Sequence, residues 1–146
     1  MSTGSRELYV AEPPGAYMMR RPLVVDCSTL SGVMFREHWH VQAARKIADH
    51  ALHAPYLLDA EMASVAVKKH RQGLAQIAQD GLAQFQTMEL ELHPIKVPDV
   101  VALALRYKLS AYDASYLWLA AELKAPLVTF DEQLATAAQA HLSGLP

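Results

Sequence analysis

The stretch LSAYDASYLWLAAELKAPLVTFDEQL, residues 109–134, decides the fold of this chain. Its first part predicts a helix over 110–123, because apolar residues recur there at three- and four-residue steps. Pro126 ends that pattern, and the compact apolar run LVTF over 127–130 predicts a buried strand. Asp131 follows the strand and begins a last helix. A helix, a strand and a helix in this order are typical of an α/β protein.

The same alternation runs through the chain upstream of this stretch. The segment from Leu23 to Val25 predicts a first strand, because it is apolar, rich in β-branched residues and preceded by Pro22. A second strand is expected around Tyr56 to Leu58, and a third within MELELHPI, residues 88–95. Helical patterns lie between the strands, over 41–52, 59–71, 74–85 (with Gly81 as a tolerated weak point) and 97–108. This alternation predicts a three-layer α/β/α domain around a central parallel sheet.

The first 21 residues differ from the rest of the chain. No helical or alternating pattern persists there between the glycines and prolines at positions 4, 13, 14 and 15. We expect residues 1–21 to form an N-terminal extension that is either flexible or adds an edge strand from Leu8 to Val10. Residues 22–146 are expected to form one domain.

The composition is that of a folded globular protein. The chain has 146 residues, of which 52% are hydrophobic and 19% are charged, enough for one domain with a buried core. The formal net charge of -2 gives no long-range attraction to nucleic acid, so such a partner needs a local basic patch. Neither a membrane helix nor a signal peptide is predicted. The single cysteine, Cys27, excludes an internal disulfide, is expected to be a packed thiol, and indicates a cytoplasmic protein.

Four acidic residues stand at the ends of strands or the starts of helices. Asp26 follows the first strand, Asp131 follows the last, Glu61 begins a helix, and Asp113 lies in a first helical turn. Any one of them alone is most simply a helix cap or a turn residue. Together they are expected at the carboxyl edge of the parallel sheet, where ligands bind in open α/β folds. Gathered carboxylates repel one another unless a cation lies between them, so the pattern predicts an Mg²⁺ or Mn²⁺ site, with some acids acting through water.

Four segments of the chain resemble a known family. They are LVVDCS (23–28), LDAEMAS (58–64), AYDASYLWLA (111–120) and LVTFDEQL (127–134). In order, spacing and context they resemble the four acidic motifs of PIN-domain ribonucleases, most closely the VapC-type toxins of bacterial toxin–antitoxin pairs. The resemblance runs from about residue 23 to residue 138, and it implies a PIN-like fold for the domain.

The resemblance assigns roles to individual residues. It implies that Asp26, Glu61, Asp113 and Asp131 are the catalytic, metal-binding acids. Three hydroxyl residues match supporting positions of the family, although capping or core packing would explain them equally well: Ser28, Ser64 and Thr129. The aromatic position at Tyr116 is expected to serve core packing. Asp59, two residues before Glu61, is expected to cap a helix, yet it is also a candidate to replace or perturb Glu61.

Two polar clusters have simpler interpretations than a binding site. The HWH sequence at 38–40 is expected to be a surface loop that carries an aromatic side chain, because cysteine or histidine partners at zinc spacing are missing. The basic cluster KKHR at 68–71 is expected to complement the dipole at a helix C-terminus. The functional alternative for this cluster is a contact with a phosphate backbone.

The resemblance implies a metal-dependent endoribonuclease that cleaves RNA phosphodiester bonds with Mg²⁺ or Mn²⁺. It also implies the toxin of a type II toxin–antitoxin pair, which forms a homodimer and is inhibited by a cognate antitoxin. The antitoxin is expected to place a basic side chain among the acids and to compete with the metal.

The sequence also allows two other functions, and it favours neither. A catalytically inactive PIN-fold binding module would act through a dimer or partner surface, but the presence of all four acids argues against it. A phosphatase or receiver-type domain with one acceptor aspartate is disfavoured, because LVVDCS lacks a second acid two residues later and no lysine follows a late strand. The RNA target and the number of ions do not follow from the sequence.

Overall fold

The structure is a computed structural model that describes residues 20–146. Most of the predicted extension, including the strand expected from Leu8 to Val10, lies outside the described residues. Within the described part, four strands alternate with seven helices: β1 (Pro22–Val25), α1 (Cys27–Met34), α2 (His40–Ile47), β2 (Ala51–Pro55), α3 (Leu57–Arg71), α4 (Ala75–Gln86), β3 (Glu91–His93), α5 (Val97–Tyr107), α6 (Ala111–Leu123), β4 (Leu127–Val128) and α7 (Glu132–Ser143). Of these helices, none has the length and apolar character needed to cross a membrane.

The four strands form one parallel sheet in the order β3-β2-β1-β4. Helices α1–α4 pack against one another, α5–α7 pack against one another, and α3 and α6 both contact the sheet. The predicted three-layer α/β/α architecture is therefore confirmed. Because the chain moves outward from β1 to β3 and then returns to the other side of β1, the strand order reverses between β1 and β4. In open α/β sheets a crevice for ligands forms at such a switch point.

The predicted position of the second strand is wrong. The helix expected over 41–52 ends at Ile47, and β2 comprises Ala51–Pro55 rather than the segment around Tyr56 to Leu58. That segment instead begins α3, where Leu58 is fully buried. A run of three apolar residues fits the first turn of a buried helix as well as a strand, so periodicity alone does not separate the two.

The last strand is shorter and less buried than predicted. Only Leu127 and Val128 pair with β1, and both are half-buried. The next two residues, Thr129 and Phe130, leave the sheet because they bond to side chains at the start of α1. The Ser28 hydroxyl satisfies the backbone N–H of Phe130, which would otherwise have continued the strand ladder.

Gly81 has a structural role in α4 that its sequence context did not indicate. A Cβ atom at this position would lie 2.5 Å from the ring of Phe35 and 2.7 Å from the carbonyl oxygen of Met34. Both Phe35 and Met34 belong to the buried core. Glycine therefore allows α4 to approach the end of α1 closely, and the residue is required for packing rather than merely tolerated.

Candidate active site

The predicted acids lie around the switch point of the sheet. Asp26 directly follows β1, and Asp131 follows the neighbouring strand β4, as predicted. Glu61 lies on the second turn of α3, and Asp113 lies in the first turn of α6. Polar side chains cap the N-termini of three helices at this edge of the sheet. Asp26 caps α1, Ser110 caps α6 and Asp131 caps α7, and each side chain accepts from the backbone N–H of the third residue after it. The caps fix where each helix leaves this edge of the sheet.

Asp26 is the most buried of the four acids, with 5% of its surface exposed. The hydroxyl of Ser28 lies 2.8 Å from one carboxylate oxygen, and the hydroxyl of Thr129 donates to the other at 2.5 Å. The backbone N–H of Thr29 donates at 3.0 Å, and its hydroxyl lies 3.0 Å from the same oxygen. Hydrogen bonds of this number compensate for much of the cost of burying a carboxylate.

Ser28 and Thr129 also join the ends of β1 and β4. The Ser28 hydroxyl accepts from the backbone N–H of Phe130 at 2.9 Å, and the Thr129 hydroxyl accepts from the backbone N–H of Asp131 at 2.9 Å. Each hydroxyl therefore accepts a backbone N–H from the segment after β4, and each also lies within hydrogen-bond distance of the Asp26 carboxylate. This arrangement fixes the orientation of Asp26 relative to Asp131.

The Glu61 side chain is directed by Tyr116, whose hydroxyl donates to Glu61 Oε1 at 2.5 Å. Tyr116 is 1% exposed, so its ring packs in the core as predicted, but its hydroxyl has the additional role of orienting an acid. Burial, followed by the hydrogen bond to Glu61, raises the pKa of Tyr116 above the usual range, so the phenol remains a donor.

Asp59 does not compete with Glu61. It lines a groove formed with Met62, Leu82 and Phe85, whereas the charges that act on Glu61 are those of Asp113 and Asp26. Side chains two positions apart on a helix point in directions that differ by about 200°, which explains why Asp59 and Glu61 are separated. Nor does Asp59 cap the helix, because α3 begins at Leu57 and the N-cap is Tyr56.

The electrostatics of the four acids fit a cation. Burial raises the pKa of Asp26, of Glu61 and of Asp113. Repulsion from neighbouring carboxylates adds to this effect at two positions: Asp113 and Asp26 act on Glu61, and Asp131 and Asp26 act on Asp113. A divalent ion among them would favour the ionised forms and remove the repulsion, and carboxylate oxygens are the ligands that hard ions prefer.

The carboxylate oxygens of the four acids are farther apart than the ligand atoms of a complete coordination shell. Within residues 20–146, no three of these acids have ligand atoms that all lie within 4.8 Å of one another. In this part of the chain, the one group of three histidine, cysteine or acidic side chains that does is formed by residues of β2 and β3. At the acidic centre, some carboxylates would therefore contact an ion through water, which is the usual mode for Mg²⁺.

Three other features singled out in the sequence have defined positions in the structure. Ser64 is exposed on α3, and among the described residues it has no hydrogen bond to the acids. Cys27 packs against Met62 Sδ, and burial raises the pKa of its thiol to about 12, which agrees with the predicted packed thiol. The basic cluster at 68–71 occupies the last turn of α3 as expected, and there Lys69 pairs with Glu37.

A groove of about 910 Å³ opens beside the acids. Trp39, from the predicted aromatic loop between α1 and α2, lines it together with Phe130, and their ring centroids are 6.0 Å apart. Arg45 and Asp131 also line the groove. The indole N–H of Trp39 donates to the backbone carbonyl of Ser28 at 3.1 Å, so the aromatic wall is anchored to the segment that carries the acids.

Sequence reasoning missed two contributors to the site. Thr29 was not singled out, although a threonine three residues after a capping aspartate is placed to bond with it. The hydroxyl of Tyr116 was assigned to packing alone, because its distance in sequence from Glu61 hides the contact.

Comparisons with known proteins agree with the fold and identify the family. The model of the PIN domain family matches residues 23–140. The chain is 37% identical over 131 residues to VapC ribonuclease Mb0985 of Mycobacterium bovis, covering 82% of this chain and 93% of that protein. It is 30% identical over 120 residues to ribonuclease VapC3 of Pyrobaculum aerophilum, covering 77% and 92%. The crystal structure of PAE2754 from Pyrobaculum aerophilum has the same fold, with a TM-score of 0.65, 22% identity, and coverage of 86% of this chain and 95% of that chain. The chain therefore belongs to the PIN-domain family and, within it, to the VapC ribonucleases.

Proposed function

We propose that this chain is a metal-dependent endoribonuclease whose metal ligands are Asp26, Glu61, Asp113 and Asp131. One observation carries the proposal: four segments bring four carboxylates to the switch point of the sheet, and burial raises the pKa of three of them. Such a centre is costly for folding unless it binds a cation. Membership of the VapC ribonucleases supports RNA as the substrate.

The donor set fits Mg²⁺ or Mn²⁺, since all four side chains offer hard oxygen ligands. When bound, such an ion lowers the pKa of a water molecule and stabilises the charge that develops on a phosphodiester during hydrolysis. The protein contributes positioning. Ser28 and Thr129 hold Asp26, and Tyr116 holds Glu61, so these two carboxylates keep their orientation when RNA approaches.

The groove beside the acids is the proposed RNA path. Trp39 and Phe130 offer aromatic faces on which unpaired bases stack, and Arg45 offers a positive charge to the backbone. Because the net charge of the chain is -2, this local contact supplies attraction that the protein as a whole does not. Single-stranded RNA fits such a groove better than a duplex, in which the bases are stacked on one another.

The same acids are the proposed target of an antitoxin. A lysine or arginine placed among Asp26, Glu61 and Asp113 would replace the cation and relieve the same repulsion. Inhibition by such a segment and binding of the metal would exclude each other. This is the toxin role that the VapC relatives suggest for the chain.

A homodimer is proposed on the exposed face of α5. Val97, Val101 and Leu105 recur at four-residue steps, and they are 60%, 46% and 76% exposed. An apolar stripe of this kind on a monomer indicates a covered surface. The second copy is the proposed occupant, and Leu105→Glu is expected to convert the dimer to a monomer in sedimentation analysis. Val67→Glu, at another exposed apolar residue, is the control and leaves the dimer intact.

Cleavage of single-stranded RNA by purified protein tests the enzymatic proposal. The Asp26→Ala and Asp113→Ala double variant is expected to lose activity by about 10³-fold or more, because several kcal/mol of charge stabilisation are removed. Excess EDTA should abolish cleavage by the wild type, and Mn²⁺ should restore it.

The matched control is Asp59→Asn, which removes an acid from the same segment as Glu61 but from the opposite side of the helix. It should cleave RNA like the wild type. Full activity of the double variant, or activity in EDTA, would refute the proposal. If the wild type neither binds Mn²⁺ nor cleaves RNA while a partner still binds it, the inactive binding module is the better description.

A further inference from the structure

A second group of metal-ligating side chains lies away from the acidic centre, on the sheet itself. His53 of β2 is paired in register with Glu91 of β3, and His93 follows Glu91 by two residues. Paired residues of parallel strands share a face, and so do residues two apart on one strand. The sheet therefore places two imidazoles and one carboxylate on the same face, next to one another.

The three ligand atoms converge. His53 Nδ1 lies 2.9 Å from His93 Nε2 and 3.0 Å from Glu91 Oε2, and His93 Nε2 lies 3.3 Å from the same oxygen. Ligands about 2.0–2.1 Å from an ion are about 2.9 Å apart in an octahedron and about 3.3 Å apart in a tetrahedron. The observed triangle has the dimensions of one face of either coordination shell.

Hydrogen bonding alone does not satisfy this triangle. The carboxylate of Glu91 offers only lone pairs, and each neutral imidazole nitrogen offers either one N–H or one lone pair. If both nitrogens donate to Glu91, two N–H groups oppose each other across 2.9 Å. If only one donates, a nitrogen lone pair faces a carboxylate lone pair across 3.0 or 3.3 Å. A cation in the middle converts all three contacts into favourable ones.

We propose that His53, Glu91 and His93 bind a borderline transition-metal ion of the Zn²⁺ class. Two imidazoles and one carboxylate are a ligand set suited to Zn²⁺, and softer nitrogen donors distinguish it from the all-oxygen acidic centre. The imidazoles are 15% and 22% exposed, and Glu91 is 65% exposed, so the ion would be reached from solvent on the carboxylate side. The ion fastens β3, the outermost strand, to β2.

The site is distinct from the acidic centre. Asp131 follows β4, the strand at the opposite edge of the sheet from β3, and Asp26 follows β1, which lies between β2 and β4. The groups that act electrostatically on His53 are Glu91 and His93, and none of the four acids is among them. The proposal consequently does not rest on the ribonuclease function.

Isothermal titration of the full chain with Zn²⁺, in excess Mg²⁺ to occupy the acidic centre, tests the site. The wild type should bind one Zn²⁺ per chain, and the Tm should rise by about 5 °C or more when free Zn²⁺ is about 100-fold above Kd. Glu91→Gln and His93→Ala should each weaken Zn²⁺ binding by about 100-fold or more, since each removes a direct ligand. Glu91 is exposed, so its variant keeps the fold.

The control is His50→Ala, which removes a half-buried histidine close in sequence to His53 but outside the triangle. It should bind Zn²⁺ like the wild type. The proposal is overturned if the wild type takes up no Zn²⁺ in excess Mg²⁺, or if His50→Ala loses as much affinity as His93→Ala. RNA cleavage in Mg²⁺ by Glu91→Gln should equal that of the wild type, so failure here and failure of the ribonuclease proposal are separable.

Discussion

Replacing Tyr116 with phenylalanine isolates one hydrogen bond of the proposed active site. The hydroxyl donates to Glu61 Oε1 at 2.5 Å, and the ring is buried in the core. Tyr116→Phe keeps the ring and its packing, so the change removes the donor without opening a large cavity. Any effect on metal binding then reports on the orientation and charge of Glu61.

The magnitude follows from the charge of the acceptor. A hydrogen bond to a charged group contributes about 1.5–3 kcal/mol, which corresponds to roughly 10- to 150-fold in an equilibrium constant. Loss of a side chain that orients a metal ligand lowers metal affinity by about 10- to 100-fold. We therefore expect Tyr116→Phe to weaken Mn²⁺ binding by about 10- to 100-fold at neutral pH.

The loss of Mn²⁺ affinity in Tyr116→Phe is expected to depend on pH. The Tyr116 hydrogen bond lowers the pKa of Glu61 and opposes the effect of burial, so its loss raises that pKa further. Metal binding requires the ionised carboxylate, and a higher pKa lets protons compete up to higher pH. The ratio of wild-type to variant affinity should therefore increase as the pH falls.

Calorimetric titration with Mn²⁺ across a pH series measures both quantities. Tyr112→Phe is the matched control, because Tyr112 lies on the same helix with 65% of its surface exposed, and its affinity should not change. Equal Mn²⁺ affinity and an equal pH profile for Tyr116→Phe and the wild type would refute the role assigned to this hydroxyl.

Three further predictions address the charge, the packing and the groove. Burial raises the pKa of Asp26, so in EDTA the folded state holds this proton more tightly than the unfolded state, and stability is lost as the pH rises from the ordinary Asp range through the raised pKa. Urea unfolding should show the advantage of Asp26→Asn growing as the pH rises through this range. Gly81→Ala should lower the free energy of unfolding by about 1–3 kcal/mol through overpacking. Gly144→Ala, where the nearest atom would lie 3.6 Å from the added Cβ, should change it little, and equal effects of the two substitutions would contradict the packing argument. Trp39→Ala should weaken binding of single-stranded RNA by about 10-fold in a fluorescence titration, and Trp39→Phe should restore most of it; unchanged affinity in the alanine variant would exclude stacking on this ring.

Local patterns account for most of the fold prediction. The alternation of apolar runs with helical stripes predicted the parallel sheet, and the strand ends correctly placed Asp26 and Asp131 after two neighbouring strands. The second strand was misplaced because the segment at 56–58 is too short for its period to be read. Gly81 was misjudged because the contact that requires it comes from Phe35, on another helix.

The sequence by itself determined the fold class, the four acidic segments and the resemblance to PIN-domain ribonucleases, because strands, caps and motifs are read from neighbours along the chain. Only the tertiary structure decided which side chains meet. It separated Asp59 from Glu61 by helix direction, and it gave Tyr116 a partner 55 residues away. The sheet register likewise brought His53 to His93 across 40 residues. Such contacts depend on how distant segments pack, and no local pattern records that.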